Sequence, residues 1–265
     1  MKNVYLFEIN DVIANQMKLP YSTGLIWAYC LEDERVKENY KLDEWFYYRD
    51  DERNLDTMFE DIKDPSVVGF NCFVWNWEFN KIMAKKIKDK YPDTLIVFGG
   101  WQQPTANRSQ GFFKEEPYVD ILVHGEGEIS FREILIENLK DEPDFTTITG
   151  CSIKNKDLTT SIAPPRERIK DLNSMPSPYL TGLFDPIAAE TPYILESTIE
   201  TTRGCPYQCT FCEIGTKYLQ KIKWQSLEKV YKEIDWISTN KVEFVYNADS
   251  NFGLLPDHLD VTKYL

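Results

Sequence analysis

Short apolar runs alternate with helical stripes through residues 1–140, and that alternation admits few folds. Val4-Tyr5-Leu6-Phe7, Trp45-Phe46-Tyr47-Tyr48, Val67-Val68-Gly69-Phe70, Leu95-Ile96-Val97-Phe98 and Val119 to Val123 each read as a buried strand. Between and after them lie helix patterns: a run around Leu25 to Leu31, then Leu55/Met58/Phe59/Ile62, Phe79/Ile82/Met83/Ile87 and Phe131/Ile134/Leu135/Leu139. Apolar residues at i, i+3, i+4 and i+7 mark one face of a helix. Five strands alternating with helix stripes predict a doubly wound, Rossmann-like parallel sheet. Such a sheet binds its ligand beyond the carboxyl ends of its strands, at a switch in strand order. The fourth run ends in Gly99-Gly100 and the fifth leads into Gly125-Glu126-Gly127. Both pairs let backbone approach a bulky ligand, and both are equally compatible with ordinary tight turns. Asn71 and Cys72 are the polar candidates at the carboxyl end of the third strand, where Phe73, Trp75 and Trp77 follow. Those aromatics suit either a flat apolar ligand or packing between domains.

The pattern breaks at Asp141. Residues 141–196 read as a connector carrying a small hairpin, Ile148–Ile153 and Leu158–Ile162, and a proline-rich stretch. A new strand starts near Leu195. After it comes Thr202-Arg203-Gly204-Cys205-Pro206-Tyr207-Gln208-Cys209-Thr210-Phe211-Cys212, a C-x3-C-x2-C loop. A helix stripe (Leu227, Val230, Ile234, Ile237) follows, with Ser226 as its expected N-cap, and then a strand at Val242–Tyr246. Three thiolates on one short loop can hold one face of a cubane iron–sulfur cluster and leave one iron open. Structural zinc asks for four protein ligands. No cysteine follows Cys212, and the single later histidine is His258. Asn247, Asp249 and Asn251 follow the last strand, where amides and carboxylates suit an ammonium or a ribose; a solvated turn is the other reading.

The loop resembles the signature of radical S-adenosylmethionine enzymes, down to the aromatic Phe211 before the third cysteine and the Arg203-Gly204 ahead of the first. The resemblance implies a [4Fe–4S] cluster on Cys205, Cys209 and Cys212. The open iron would chelate S-adenosylmethionine, whose reductive cleavage yields a 5′-deoxyadenosyl radical. Phe211, Asn247 and Asp249 would help seat S-adenosylmethionine. An α/β domain upstream, with its glycine turns and the segment Leu172-Asn173-Ser174-Met175-Pro176-Ser177-Pro178-Tyr179, is similar to the cobalamin-binding class of that family. Asn71, Gly99, Gly100, Gly125, Glu126 and Gly127 would then face cobalamin. The Asp-x-His-x-x-Gly motif of many cobalamin proteins is missing, and His124 reads as a hydrogen-bonded turn residue.

These expectations make residues 1–140 a cobalamin-binding domain and 197–265 the N-terminal part of a radical barrel. The expected chemistry is methyl transfer or a related radical modification of an unreactive carbon. Two alternatives stay open: a radical enzyme whose Rossmann domain binds nothing, and a non-catalytic module that needs a partner chain. The resemblance implies six or eight strand–helix units where 197–265 supplies two, so a second polypeptide is expected to complete the barrel. A flavodoxin or ferredoxin would supply electrons, and the substrate would be a small or peptide-like molecule. The 265 residues carry a net charge of −13, spread along the chain, which works against free nucleic acid as a partner. No apolar run reaches the roughly 20 residues of a membrane helix. The N-terminus lacks the pattern of a signal peptide. A cytoplasmic, reducing setting is therefore expected, in which clustered cysteines bind metal rather than pair.

Overall fold

The computed structural model describes residues 1–49, 55–212, 214 and 219–265, with the side chains of Asp11 and 43–49 outside that description. Its strands in chain order are β1 (Lys2–Asp11), β2 (Gln16–Lys18), β3 (Tyr40–Arg49), β4 (Pro65–Asn71), β5 (Leu95–Gly99) and β6 (Ile121–Val123). They continue with β7 (Cys151–Lys154), β8 (Thr160–Ile162), β9 (Ile194–Ile199), β10 (Thr202–Arg203), β11 (Lys223–Trp224) and β12 (Phe244–Asn247). The chain divides into two compact units. One comprises Met1–Val12 with Tyr29–Glu167, the other Ile13–Ala28 with Arg168–Leu265.

The first unit is built on a sheet of order β3-β1-β4-β5-β6-β7-β8. The pairs from β3 to β6 are parallel, as expected of strand–helix units. The chain leaves β1 to β3 on one side and returns to β4 on the other, so the switch in strand order lies at β1 and β4. β4 reads almost wholly buried, which a strand covered on both faces requires. Phe7, Phe70 and Phe98 run across the sheet with ring centroids 4.7 and 5.1 Å apart. Helix Trp77–Lys90 closes one face through Met83, Ala84 and Ile87.

Two differences from expectation have plain causes. The hairpin assigned to the connector is instead an extension of this sheet: β7 pairs antiparallel with β6, and β8 with β7. A hairpin buries its apolar side only against a third strand, and the open edge of β6 provides it. Ile82 was expected on the buried stripe, yet it is exposed and Asn80 is fully buried in the same helix. Asn80, Met83, Ala84 and Ile87 form the inward row, and a polar residue on that row is invisible to an apolar count.

In the second unit β9 lies between β2 and β12, parallel to both. β2 sits in the segment after β1 and has three residues, too short for a periodic signal. Its pairing covers one edge of β9. The helix Leu227–Thr239 buries Val230, Ile234 and Ile237, and Ser226 Oγ caps it by accepting from Lys229 N. A further helix, Asp257–Tyr264, buries His258 and Val261. Among the described residues no helix is long and apolar enough to cross a membrane.

Candidate functional site

The carboxyl end of β4 and β5 forms the rim of the first unit's sheet. Cys72 N donates to Gly99 O at 2.7 Å, and Gln102 N donates to Cys72 O at 3.0 Å, so the two exit loops are stitched together. Gly100 takes φ +97°, and a Cβ there would lie 2.7 Å from Cys72 O and 2.8 Å from Asn71 Oδ1. Only glycine fits that crossing. Beneath it, Asn76 Nδ2 and Asn80 Nδ2 donate to Asn71 O at 3.0 and 3.1 Å, and Asn76 Oδ1 accepts from Phe73 N at 2.8 Å. Burial pushes the Cys72 thiol up to about 12, so it stays a neutral thiol.

Asn71 Nδ2 and Gln103 Oε1 on this rim, and Asn80 Oδ1 beneath it, are buried and lack partners. A donor and an acceptor without protein partners are what a ligand rich in carboxamides would use. The aromatics separate. Trp77 packs into the core 5.8 Å from Phe98, whereas Trp75 stacks on Phe73 at 4.5 Å and stays exposed. Trp101, one residue past the glycine pair, is also exposed and was not singled out from sequence. Its signal was available in its position directly after Gly99-Gly100. Gly99 ends β5, and Gly125, Glu126 and Gly127 lie in the turn between β6 and helix Glu128–Glu137. His124 Nε2 lies 2.8 Å from Ser152 Oγ, and burial lowers its pKa, so it is a neutral turn histidine.

The three-cysteine loop lies in the second unit, between β10 and β11, which pair Thr202 with Trp224 and Arg203 with Lys223. Its base is closed by several contacts. Cys205 N donates to Leu219 O at 2.9 Å. Arg168 donates from Nη1 to Lys221 O at 2.6 Å and from Nη2 to Arg203 O at 2.9 Å. Gly204 takes φ +113°, and a Cβ would lie 2.7 Å from Lys221 O. Arg203 also pairs with Glu200 at 2.7 Å. Cys205 is buried, Cys209 exposed and Cys212 intermediate, and none is in a disulfide. Cys212 N donates to Cys209 O at 3.1 Å, a turn that sets these two cysteines on one bend. Among the described residues no three His, Cys, Asp or Glu side chains converge as a finished metal site. The donor chemistry fits a cluster nonetheless: three free thiols on one loop, with its base fixed and two of its cysteines reachable. Phe211 stands 90% exposed.

At the end of β12, Asn247 Oδ1 accepts from Asp249 N at 2.8 Å, and beyond it Asn251 Nδ2 is buried without a partner. The Asp249 carboxylate does not face outward. Its Oδ1 accepts from Thr201 N at 2.7 Å and Thr202 N at 2.8 Å, and its Oδ2 from Thr201 Oγ1. Asp249, expected to help seat S-adenosylmethionine, here anchors the backbone ahead of the loop. Spent on two amides and a hydroxyl, the carboxylate has little left for a ligand. Sequence spacing could not reveal this, because the partners lie 47 and 48 residues upstream.

The architecture is thus an α/β protein whose parallel sheet ends in a polar, glycine-lined rim, followed by a unit that carries a three-cysteine loop after a central parallel strand. No family model matches the chain. The chain is 36% identical, over its whole length, to 2-(S-pantetheinyl)-carbapenam-3-carboxylate methyltransferase of Streptantibioticus cattleyicolor. It is 35% identical over 93% of its length to the cobalamin-dependent radical SAM methyltransferase TokK of Streptomyces tokunonensis. It spans 38% and 36% of those two proteins. The cobalamin-dependent S-adenosylmethionine radical enzyme OxsB shares its fold with a TM-score of 0.70 at 20% identity, over all of this chain and 37% of OxsB. The methyltransferase TsrM from Kitasatospora setae does so with a TM-score of 0.65 at 18% identity, over all of this chain and 50% of TsrM. The chain belongs to the family of cobalamin-binding radical S-adenosylmethionine enzymes.

Proposed function

We propose that this chain carries the cobalamin-binding and cluster-binding parts of a radical S-adenosylmethionine methyltransferase acting on a small molecule. The observation that carries the reading is the loop Cys205–Cys212: three free thiols between two paired strands, on a base closed by Arg168, Gly204 and the Cys205–Leu219 bond. A bound [4Fe–4S] cluster would supply the electron that activates S-adenosylmethionine, and cobalamin would carry the methyl group. The protein's share is to hold and orient. Cys205, Cys209 and Cys212 would ligate iron as thiolates. Phe211, exposed beside them, would help seat S-adenosylmethionine. Asn247 would present its amide from the end of β12. Asp249 would act at one remove, by fixing Thr201 and Thr202 ahead of the loop. On the first unit, the unpartnered Asn71 Nδ2 and Gln103 Oε1 would meet polar groups of cobalamin, and Gly99, Gly100, Gly125, Glu126 and Gly127 would let it approach the backbone.

Relatives that extend well beyond this chain support a further part of the reading: the activity belongs to a larger assembly, in which more polypeptide completes the barrel and shapes the substrate pocket. The electron donor would be a flavodoxin or ferredoxin. The test is anaerobic reconstitution of the 265-residue chain with iron and sulfide, followed by titration with hydroxocobalamin. The expected result is about four irons per chain with a broad charge-transfer absorbance, and a cobalamin spectrum that shifts on binding. Stoichiometric zinc with no iron uptake would overturn the cluster assignment. A folded chain that leaves the cobalamin spectrum unchanged would favour a Rossmann domain that binds nothing.

A further inference from the structure

A directional chain of hydrogen bonds crosses the second unit and ends at the entrance to the cysteine loop. Gly253 N donates to His258 Nδ1 at 2.6 Å. A ring nitrogen that accepts carries no proton, so the neutral imidazole keeps its hydrogen on Nε2. Nε2 lies 3.3 Å from Thr201 Oγ1 and donates to it. Thr201 Oγ1 has one hydrogen, which it donates to Asp249 Oδ2. Asp249 Oδ1 then accepts from Thr201 N and Thr202 N. His258 and Thr201 are buried, and the Asp249 side chain is wholly so. Phe252 seals the imidazole, stacked at 4.6 Å with the planes 9° apart.

The order of donors gives the chain its meaning. Thr201 Oγ1 can serve Asp249 as a donor because His258 fills its accepting side. A carboxylate rotated away would strand two buried amides. Those amides belong to the residues at which β9 gives way to Cys205, three positions beyond Thr202. We infer that His258 is a positioning residue for the three-cysteine loop, acting through Thr201 and the Asp249 carboxylate to hold the backbone ahead of Cys205 in one conformation. This rests on the reading of that loop as a cluster site.

The experiment compares His258→Phe, His258→Gln, Thr201→Val and Thr201→Ser in the full chain. Amide hydrogen exchange at Thr201 and Thr202 is measured without cluster, and the electron paramagnetic resonance spectrum of the reduced cluster after reconstitution. H258F keeps the stack on Phe252 but neither accepts nor donates. It is expected to speed exchange at both amides about tenfold or more and to broaden the cluster spectrum. T201V should do the same. H258Q, which can accept from Gly253 N and donate to Thr201, and T201S should stay close to the parent. Unchanged exchange and an unchanged spectrum in H258F and T201V would overturn the inference. If H258F fails to fold, T201V against T201S decides it, since serine keeps the hydroxyl at this position and valine removes it. A parent chain that takes up no cluster would defeat the cluster reading, while the exchange measurement still decides whether His258 orders this backbone.

Discussion

The rim of the first unit and the cysteine loop of the second are held in different ways. At the rim, backbone and amides do the holding: Asn76 and Asn80 fix Asn71, and Gly100 threads between Cys72 and Asn71 at contact distance. Polar atoms left over, Asn71 Nδ2 and Gln103 Oε1 among them, are already buried in place. Among the described residues the loop is held at its base, through Arg168, Gly204 and the bond from Cys205 N to Leu219 O. Its far part, with Cys209 and Phe211, is exposed. The difference follows from the bonds each ligand would make. A ligand gripped by hydrogen bonds and surface contact needs a preformed face, because each ordering cost subtracts from a modest gain. Metal–thiolate bonds are strong enough to order their own loop on binding.

The largest effect should come from the thiols. Replacing Cys205, Cys209 or Cys212 by Ala is expected to reduce reconstituted iron from about four per chain to near none, read by iron assay and absorbance. The folded rim should be untouched, so a hydroxocobalamin titration should match the parent. Full iron content in Cys209→Ala would break the comparison outright, since the loop would not then be a ligand set.

The two glycines sharpen it. Gly100→Ala places a Cβ 2.7 Å from Cys72 O at φ +97°, and Gly204→Ala one 2.7 Å from Lys221 O at φ +113°. Each should cost about 2–3 kcal/mol of stability, from backbone strain and a contact with backbone that cannot swing aside. The functional losses should separate. Gly100→Ala should weaken cobalamin binding and leave iron uptake alone, and Gly204→Ala should do the reverse. Thermal denaturation with both titrations checks this. Equal loss of both ligands in either variant would mean that the two regions are one structural unit rather than two.

A third test uses pH. The rim is held by amides, which do not titrate, whereas the second unit buries Glu233. Burial pushes the Glu233 carboxyl up to about 7 from an ordinary value near 4.5, against the opposing pull of a hydrogen bond with Ser177 and the charge of Lys229. The folded state therefore holds this proton after the unfolded state has lost it. Stability is greatest below pH 4.5, falls as pH rises towards 7, and is flat above, with roughly 3 kcal/mol at stake. Glu233→Gln should abolish that slope and raise stability at pH 8. Denaturant titrations at pH 5, 6, 7 and 8 read it. A variant with the parent's slope would place the titrating group elsewhere.

What sequence could and could not reveal divides along range. The strands β1, β3, β4 and β5 and the helices Trp77–Lys90 and Glu128–Glu137 of the first unit, the cap at Ser226 and the cysteine loop are local signals, each carried within about ten residues, and they lie where the sequence analysis expects them. The helices Glu34–Asn39 and Ser109–Glu115 are missed because they are too short for a stripe to mark them. The other misses are long-range pairings. β2 is three residues whose partner is β9. The hairpin β7–β8 is legible as a hairpin, but its attachment to β6 is not. Asn80 is buried because Asn71 O needs a donor nine residues away, and Asp249 turns inward because Thr201 and Thr202 offer two amides. A polar residue reads as solvent-facing until its partner is known. That rule misplaces the residues that hold a site while leaving those that form it in view.

The smallest effect is expected at His124, and it tests whether the rim depends on any titrating group. The ring lies 2.8 Å from Ser152 Oγ, and His124 N donates to Gly150 O, which ties the turn to the strand β7 hairpin. Burial lowers its pKa, so the folded state favours the neutral ring. As pH drops below about 6.5 the unfolded chain takes up this proton first, and stability declines; above that value the residue gives no pH dependence. His124→Ala removes one neutral hydrogen bond and should cost only about 0.5–1.5 kcal/mol at pH 8. Because the ring is turned to Ser152, hydroxocobalamin should bind the variant as it binds the parent, with the same spectrum. Binding lost in His124→Ala, or a spectrum that changes form, would make this histidine a cobalt ligand. The rim would then hold its ligand by coordination, as the cysteine loop does, and the contrast between the two regions would fail at its weakest point.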